Sequence, residues 1–170
     1  MKFIDDISIC KGFAICKGHM TGNEVYEYSA EDAKKDTVYS QILFGVNGTG
    51  AAYDSNGNKI TDINANVLYD FKEYYGKKYS IRAFENGGTW ICINPIPANK
   101  FYTQKILTND TTIVGDGHEH VLICLFGSIV VNEKTLNQLQ YARIFKDKTA
   151  NIIIPDGSIA IHLNATKLNT

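Results

Sequence analysis

Short apolar segments, separated by turn residues, recur every eight to twelve residues through the second half of this chain. That half contains the letters GDGHEHVLICLFG from residue 115 and PDGSIAIHLN from residue 155. Spacing this short is typical of the strands of a β-sandwich or barrel and leaves no room for helices of ordinary length. Strands are therefore predicted at residues 111–114, 120–126, 129–131, 140–145, 152–154 and 159–163.

The first half carries the same kind of pattern with less regular spacing. Asn56-Gly57 predicts a hairpin, because both residues tolerate positive φ. An apolar run at residues 38–44 predicts a strand that ends at Gly45, and residues 85–88 predict a turn between two further strands. Residues 30–35 follow a capping sequence and predict one or two helical turns.

Two sequence fragments of the first half recur about 82 residues later. The letters LFG occur at residues 43–45 and 125–127, and GKKYSI at residues 76–81 is echoed by GSIAI at residues 157–161. The echo predicts a duplicated unit or two similar halves of one jelly roll. We therefore divide the chain into an N-terminal arm with a short helix, residues 1–36, and two β halves, residues 37–104 and 105–170.

Composition excludes several classes of function. A formal net charge of -1 gives no electrostatic basis for binding nucleic acid or an anionic membrane, so we expect neither partner. Two acidic residues follow Met1 almost at once, so we expect no secretory signal peptide and four reduced cysteines. Cys92 and Cys124 lie in apolar strands as small hydrophobic residues, and Cys10 and Cys16 lack a zinc or redox spacing.

The stretch from Gly127 to Asn164 resembles the cupin superfamily, which has a strand leading into a glycine turn, several short strands, and P-x-G before a final strand. Pro155, Gly157 and Asn164 match the second cupin motif. The histidine position of that motif holds Ala160, and the first motif, aligned on Gly127, places His120 at its glutamate position. The resemblance implies a cupin-like jelly-roll β-sandwich over about residues 38–165, with the metal ligands degenerate.

Three histidines are nevertheless candidate metal ligands. His118 and His120, at positions i and i+2, lie on one face of a strand, and His162 is the candidate third ligand. Strand alternation places His162 on the face opposite the isoleucine-rich face of its strand. If the isoleucine-rich face lines the core, His162 points outward and the three side chains do not meet. The competing interpretation is that these are structural histidines at strand ends beside a Gly-Asp-Gly turn.

Three functional hypotheses follow. The first is a non-catalytic assembly protein without a cofactor, similar to the small accessory proteins of tailed-phage virions, acting as a capsid decoration, collar or tail component. It implies a virion location after synthesis in host cytoplasm, or otherwise a cytoplasmic one, and contacts with copies of itself and other structural proteins. The second is a metal-dependent cupin enzyme using His118, His120 and His162. The third is a sugar- or peptide-binding sandwich that uses some of the ten tyrosines.

Overall fold

The computed structural model describes residues 2–3, 8–10, 13–28, 42–74, 77–95, 103–118 and 120–164. Almost all regular structure in these residues is β-strand, and the one helix among them is a single 3-10 turn, Lys72–Tyr74. The predicted all-β fold is confirmed. The chain divides into two compact units, Met1–Asn99 and Lys100–Thr170, which we call the first and the second unit. No helix in the described ranges is long and apolar enough to cross a membrane.

The first unit contains one eight-stranded antiparallel sheet. Its strands are β1 (Lys2–Phe3), β2 (Ser8–Cys10), β3 (Phe13–Met20), β4 (Val25–Tyr28), β5 (Ile42–Asp54), β6 (Lys59–Ile63), β7 (Leu68–Asp70) and β8 (Tyr79–Pro95). The second unit contains two four-stranded sheets. Its strands are β9 (Thr103–Leu107), β10 (Thr111–Ile113), β11 (His120–Phe126), β12 (Ser128–Val131), β13 (Lys134–Asn137), β14 (Tyr141–Ile144), β15 (Ala150–Ile153) and β16 (Ile159–Asn164).

Two long strands, β5 and β8, bend and so give the first unit two layers. The N-terminal half of β5 pairs with β7 and with the C-terminal half of β8, which also pairs with β3. The C-terminal half of β5 pairs with β6 and with the N-terminal half of β8, which also pairs with β4. Residues from both halves share one buried cluster, so the sheet folds over a common core.

The bend lies where the ladder between β5 and β8 is irregular. The register shifts between Gly45 and Asn47 and again between Gly48 and Gly50. Gly48 and Gly87 have φ values of 78° and 66°, and a Cβ on Gly48 would collide with the carbonyl group of Gly87. Glycine is required here because it adopts positive φ and lets two backbones approach closely. The predicted strand end at Gly45 is therefore wrong, because β5 continues through these irregularities.

The second unit repeats the strand pairing of the first. Strands β9 and β10 take the places of β3 and β4, and β13 and β14 take those of β6 and β7. Strands β11 and β12 correspond to the two halves of β5, and β15 and β16 to the two halves of β8. The two halves of the chain are thus related in topology.

The sequence echo that suggested this relation does not mark equivalent positions. Leu43 belongs to the interior cluster of the first unit, whereas the residue matched to it, Leu125, is buried outside the interior cluster of the second. Tyr79 begins β8, whereas Gly157 precedes β16, the equivalent of the far half of β8. The strand pairing therefore shows the duplication, whereas the similar sequence fragments do not lie at equivalent positions.

The N-terminal region is not an arm over its whole length. Strands β3 and β4 lie within the predicted arm of residues 1–36, yet both pair along β8 inside the first unit. Phe13, Ile15 and Met20 of β3 are fully or almost fully buried, because β3 covers the C-terminal half of β8. The predicted helical turns at residues 30–35 lie outside the described residues.

Candidate histidine pocket of the second unit

Strands β11 and β16 place two histidines side by side on one face of a sheet. In their antiparallel register, His120 lies opposite Asn164 and His162 lies opposite Leu122. The two histidines are therefore diagonal neighbours across the strand pair, a separation that long side chains bridge. They share this face with Leu122 and Cys124, which belong to the interior cluster of the second unit. Both histidines thus point toward the interior of the sandwich.

This orientation corrects one expectation from the sequence. The sequence predicts that His162 points outward if the isoleucine-rich face of β16 lines the core. Ile161 and Leu163 are indeed fully buried, but Ala160, on the opposite face, is also fully buried and belongs to the interior cluster. Because both faces of β16 are buried, apolar alternation does not identify the interior, and His162 lies on the same side as His120.

A chain of hydrogen bonds joins the two histidines to one carboxylate. His120 Nδ1 lies 2.9 Å from His162 Nε2, and His120 Nε2 lies 3.1 Å from Asp116 Oδ1. The two rings are tilted by 31°, with their centroids 5.0 Å apart. His120, in the middle of the chain, is only 3% exposed. A histidine so buried requires hydrogen-bond partners, and here both of its ring nitrogens have one.

Asp116 is held in place by the turn before β11 and by the end of β16. The backbone N–H of His118 donates to Asp116 Oδ1 at 2.9 Å, and Asn164 Nδ2 donates to Oδ2 at 3.0 Å. The His118 backbone bond first, and then the charge of His120 and the bond from Asn164, hold the pKa of the Asp116 carboxyl below its usual value. Asp116 is therefore an ionised acceptor at neutral pH.

The ionised carboxylate determines the tautomers along this chain. Because Asp116 only accepts hydrogen bonds, His120 Nε2 carries a proton and donates it. In neutral His120 the other nitrogen, Nδ1, is then an acceptor, and His162 Nε2–H is its donor. This assignment leaves His162 Nδ1 as an acceptor, and no described residue forms a hydrogen bond with it.

The two histidines line a cavity of about 300 Å³ on the side of the sandwich formed by β9 and β10. The other lining residues are Lys105, Leu107, Thr111, Thr112, Ile113 and Val114. Burial first, and then the neighbouring His120 and Lys105, lower the pKa of His162 to about 4, while Asp116 acts in the opposite direction. His162 is therefore neutral at pH 7 and presents a neutral imidazole to the cavity.

The three histidines proposed as metal ligands do not converge in this structure. His118 Nδ1 lies 3.3 Å from Asp116 Oδ1, the same oxygen that His120 Nε2 contacts, and His118 does not line the cavity. Among the described residues, which do not include Glu119, no group of three or more histidine, cysteine or acidic side chains is arranged to hold a metal ion. The residues present do not fit the three-histidine metal centre of the alternative hypothesis.

The interior of the first unit is filled by aromatic rings instead. Tyr28 and Tyr79 stack with their centroids 4.6 Å apart and an interplanar angle of 13°, and Phe71 lies 5.2 Å from Tyr79. Trp90 completes this group, and all four side chains are at most 1% exposed. These rings pack against one another as the buried core of the first unit.

Three of the four cysteines are buried within β-strands. Cys16 and Cys92 lie opposite each other on β3 and β8, and both are buried free thiols, as is Cys124. Burial raises the pKa of Cys124 to about 11, which makes it unreactive at neutral pH.

Comparison with known proteins identifies the fold. HutD from Pseudomonas fluorescens SBW25 is similar, with a TM-score of 0.64 and 8% identity over 92% of this chain and 80% of that one. A cupin 2 conserved barrel domain protein from Leptotrichia buccalis has a TM-score of 0.51 and 12% identity, over 94% and 86% of the two chains. Quercetin 2,3-dioxygenase from Acinetobacter baumannii has a TM-score of 0.56 and 10% identity, over 92% and 69%.

This chain therefore has a cupin-like jelly-roll fold. No protein-family model matches the sequence, and the comparison with curated proteins gives no significant match. At such low identities the similarity defines the fold and leaves the activity open.

Two members of the pocket were missed by the sequence analysis. Asp116 lies in the Gly-Asp-Gly turn, four residues before His120. Lys105 lies on β9, a strand that was not predicted. The local signal for Asp116 is a pair of polar residues, Asp116 and His120, at the start of an apolar strand. No local pattern indicates Lys105.

Proposed function

We infer that the second unit is a binding domain for a small molecule, which enters the cavity beside His162 and requires no metal ion. The observation that supports this is the hydrogen-bond chain from Asp116 through His120 to His162, which ends at the cavity. Buried polar networks are costly unless each member is satisfied. In this one Asn164 Oδ1 is buried without a partner, and His162 Nδ1 forms no hydrogen bond with a described residue. A ligand in the cavity can hydrogen-bond to the free nitrogen of His162.

The site is suited to binding more than to a metal-dependent reaction. Known structures of this fold include a protein named as a dioxygenase, but the three histidines here do not converge on one point. The described lining residues also include no cysteine or serine nucleophile. We therefore propose a non-catalytic role, in which the ligand leaves the pocket unchanged.

A panel of small polar fragments tests this function. Histidine-ring ¹H–¹⁵N correlation spectra of the whole chain are recorded with each fragment at neutral pH. Binding is expected to shift the ring signals of His120 and His162 and to leave those of His19, on β3 of the first unit, unchanged. The same samples, followed over a day, are expected to show no conversion of a bound fragment. If no fragment shifts either pocket histidine, the proposal fails.

His162→Gln and His118→Gln are matched variants for this panel. The first removes a ring that lines the cavity, whereas the second removes a half-exposed ring that contacts Asp116 and does not line the cavity. Loss of binding in His162→Gln with binding retained in His118→Gln is the expected pattern. Equal losses would place the ligand outside the cavity.

The assembly role predicted from the sequence, in a virion or elsewhere, stays a prediction. The structures compared above are named as HutD, a cupin barrel protein and a dioxygenase, and none of these names describes a virion component. The mass of the protein in solution, measured by light scattering over a range of concentrations, tests whether copies associate. If the protein is monomeric at all concentrations, the assembly role loses its main support.

A further inference from the structure

Lys105 is a cationic residue next to His162 in the sheet. It lies directly opposite His162 in the antiparallel pair formed by β9 and β16, so the two side chains leave the sheet on the same face. Both residues line the cavity. Among the described residues, no carboxylate forms an ion pair with the Lys105 ammonium group.

Lys105 is an exposed residue that brings a positive charge to the edge of the cavity, since it lines the cavity and lies opposite His162. Its positive charge helps to lower the pKa of His162, and Asp116, the acidic group of the network, opposes it only in part. His162, which is neutral at pH 7, adds no positive charge. The cavity thus has a cationic side chain at its edge, opposite the histidine whose Nδ1 is an uncharged hydrogen-bond acceptor.

These two groups define complementary chemistry in a ligand. A carboxylate compensates the charge of Lys105, and a hydroxyl hydrogen donates to His162 Nδ1. We propose that the pocket of the second unit binds a small hydroxycarboxylate, with its carboxylate at Lys105 and its hydroxyl group at His162. This inference rests on the proposed binding function and specifies the ligand class.

The rest of the cavity limits the size and charge of this ligand. A volume of about 300 Å³ is at the lower end of the range for ligand pockets. Leu107, Ile113 and Val114 give it an apolar part, which suits a short hydrocarbon chain. One lysine compensates one negative charge, so a monocarboxylate is favoured over inorganic phosphate, which carries more charge at neutral pH.

Three closely related probes test this assignment of the ligand class. Lactate carries both groups, propionate lacks the hydroxyl group, and lactamide lacks the charge. Binding is measured by titration of the His162 ring signal in the intact chain at pH 7, with inorganic phosphate as a fourth probe. Lactate is expected to bind at least tenfold more tightly than either propionate or lactamide, since each lacks one of the two paired groups.

Lys105→Met is the decisive variant, because it keeps the length of the side chain and removes the charge. It is expected to weaken lactate binding at least tenfold while leaving lactamide binding unchanged. Lys134→Met, on the edge strand β13, is the matched control and is expected to change neither affinity. Retained amide peak positions in ¹H–¹⁵N spectra show that each variant is folded.

The outcomes separate this inference from the proposed function. If neutral fragments or lactamide shift the pocket histidines as strongly as lactate does, the function stands and the hydroxycarboxylate assignment is overturned. Tighter binding of phosphate than of lactate also overturns it. If no probe or fragment shifts His120 or His162, both proposals fail. Selective lactate binding that depends on Lys105 supports both.

Discussion

The two units of this protein share one pairing scheme and differ in what fills it. In the first unit, β5 and β8 run unbroken through the bend and enclose stacked rings of Tyr28, Tyr79 and Phe71. In the second, the equivalent strands are interrupted, and the interior contains a hydrogen-bonded histidine pair beside a cavity. The same backbone scaffold thus supports a packed core in one copy and a polar pocket in the other.

The difference shows that the fold constrains the pairing of the backbone more than the choice of interior side chains. Main-chain pairing requires only backbone hydrogen bonds and tolerates any side chain that fits the enclosed space. Aromatic rings fill that space in the first unit and gain burial and stacking energy. The second unit contains buried polar groups in its place, which cost stability unless they are paired. The first interior is therefore suited to stability and the second to recognition.

The largest expected effect tests the packed core of the first unit. Tyr79→Ala removes a fully buried ring that contacts Tyr28 and Phe71, so it is expected to lower the free energy of unfolding of that unit by about 3–5 kcal/mol. Trp90 is the single tryptophan of the chain and lies in this core, so its fluorescence reports urea unfolding of the first unit. Tyr53→Ala, at a half-buried tyrosine, is the control and should cost about 1 kcal/mol. Similar losses in both variants would show that the rings do not form the core.

A second prediction tests the paired histidines of the other unit. His120→Leu leaves His162 Nε2 and Asp116 without their partner, so it is expected to cost about 2 kcal/mol. Adding His162→Leu should restore about 1 kcal/mol of that loss, because an apolar pair needs no hydrogen bond. Urea unfolding monitored by circular dichroism, compared with Trp90 fluorescence, separates the two units. A double variant that loses the sum of the two single effects would mean that the histidines are not coupled.

A third prediction concerns the pH dependence of the second unit. The folded pKa of His162 is about 4, below the value of about 6.5 of an unfolded histidine, so the unfolded state binds the proton first as the pH falls. Stability is therefore present in full above pH 6.5 and falls between pH 6.5 and pH 4, by about 1–3 kcal/mol. Urea midpoints measured across this window should fall less in His162→Gln than in the wild-type protein. An unchanged slope in His162→Gln would exclude His162 as its cause.

The smallest expected effect concerns turns, in which the two units should behave alike. Gly57 and Gly157 have φ values of 82° and 79°, and a Cβ at either position would meet no atom within 4 Å. Replacement by alanine is therefore opposed only by backbone strain, and each variant should lose about 1 kcal/mol. Thermal or urea unfolding of each variant measures the loss. A much larger loss at one position would reveal a contact of that turn that the backbone geometry does not explain.

Much of the fold could be predicted from the sequence because strand and turn signals are local. The Asn56-Gly57 hairpin and the strands β10, β11, β12, β14, β15 and β16 were all predicted close to their observed bounds. Prediction failed at the bend of β5 and β8, because glycine there permits close approach of two strands and does not end either of them. It also failed for β9 and β13, whose polar residues give no strand pattern.

The candidate site was predicted only in part. The sequence identified His118, His120 and His162 but could not show which of them meet, since His120 and His162 are 42 residues apart. Their meeting depends on the register of β11 against β16, which is fixed by pairing across the whole sheet. Lys105 joins them only because β9 pairs with β16.

The sequence by itself determined the β-sheet class, the main turns and the histidines as the polar residues of interest, because these follow from periodicity and from the conformational preferences of single residues. Only the tertiary structure decided which face of β16 is the interior, because both faces are buried and local alternation no longer distinguishes them. It also decided that Asp116 orients His120 and that His162 faces a cavity with Lys105. These relations join residues that are distant in the chain, and they exist only once the sheets have formed.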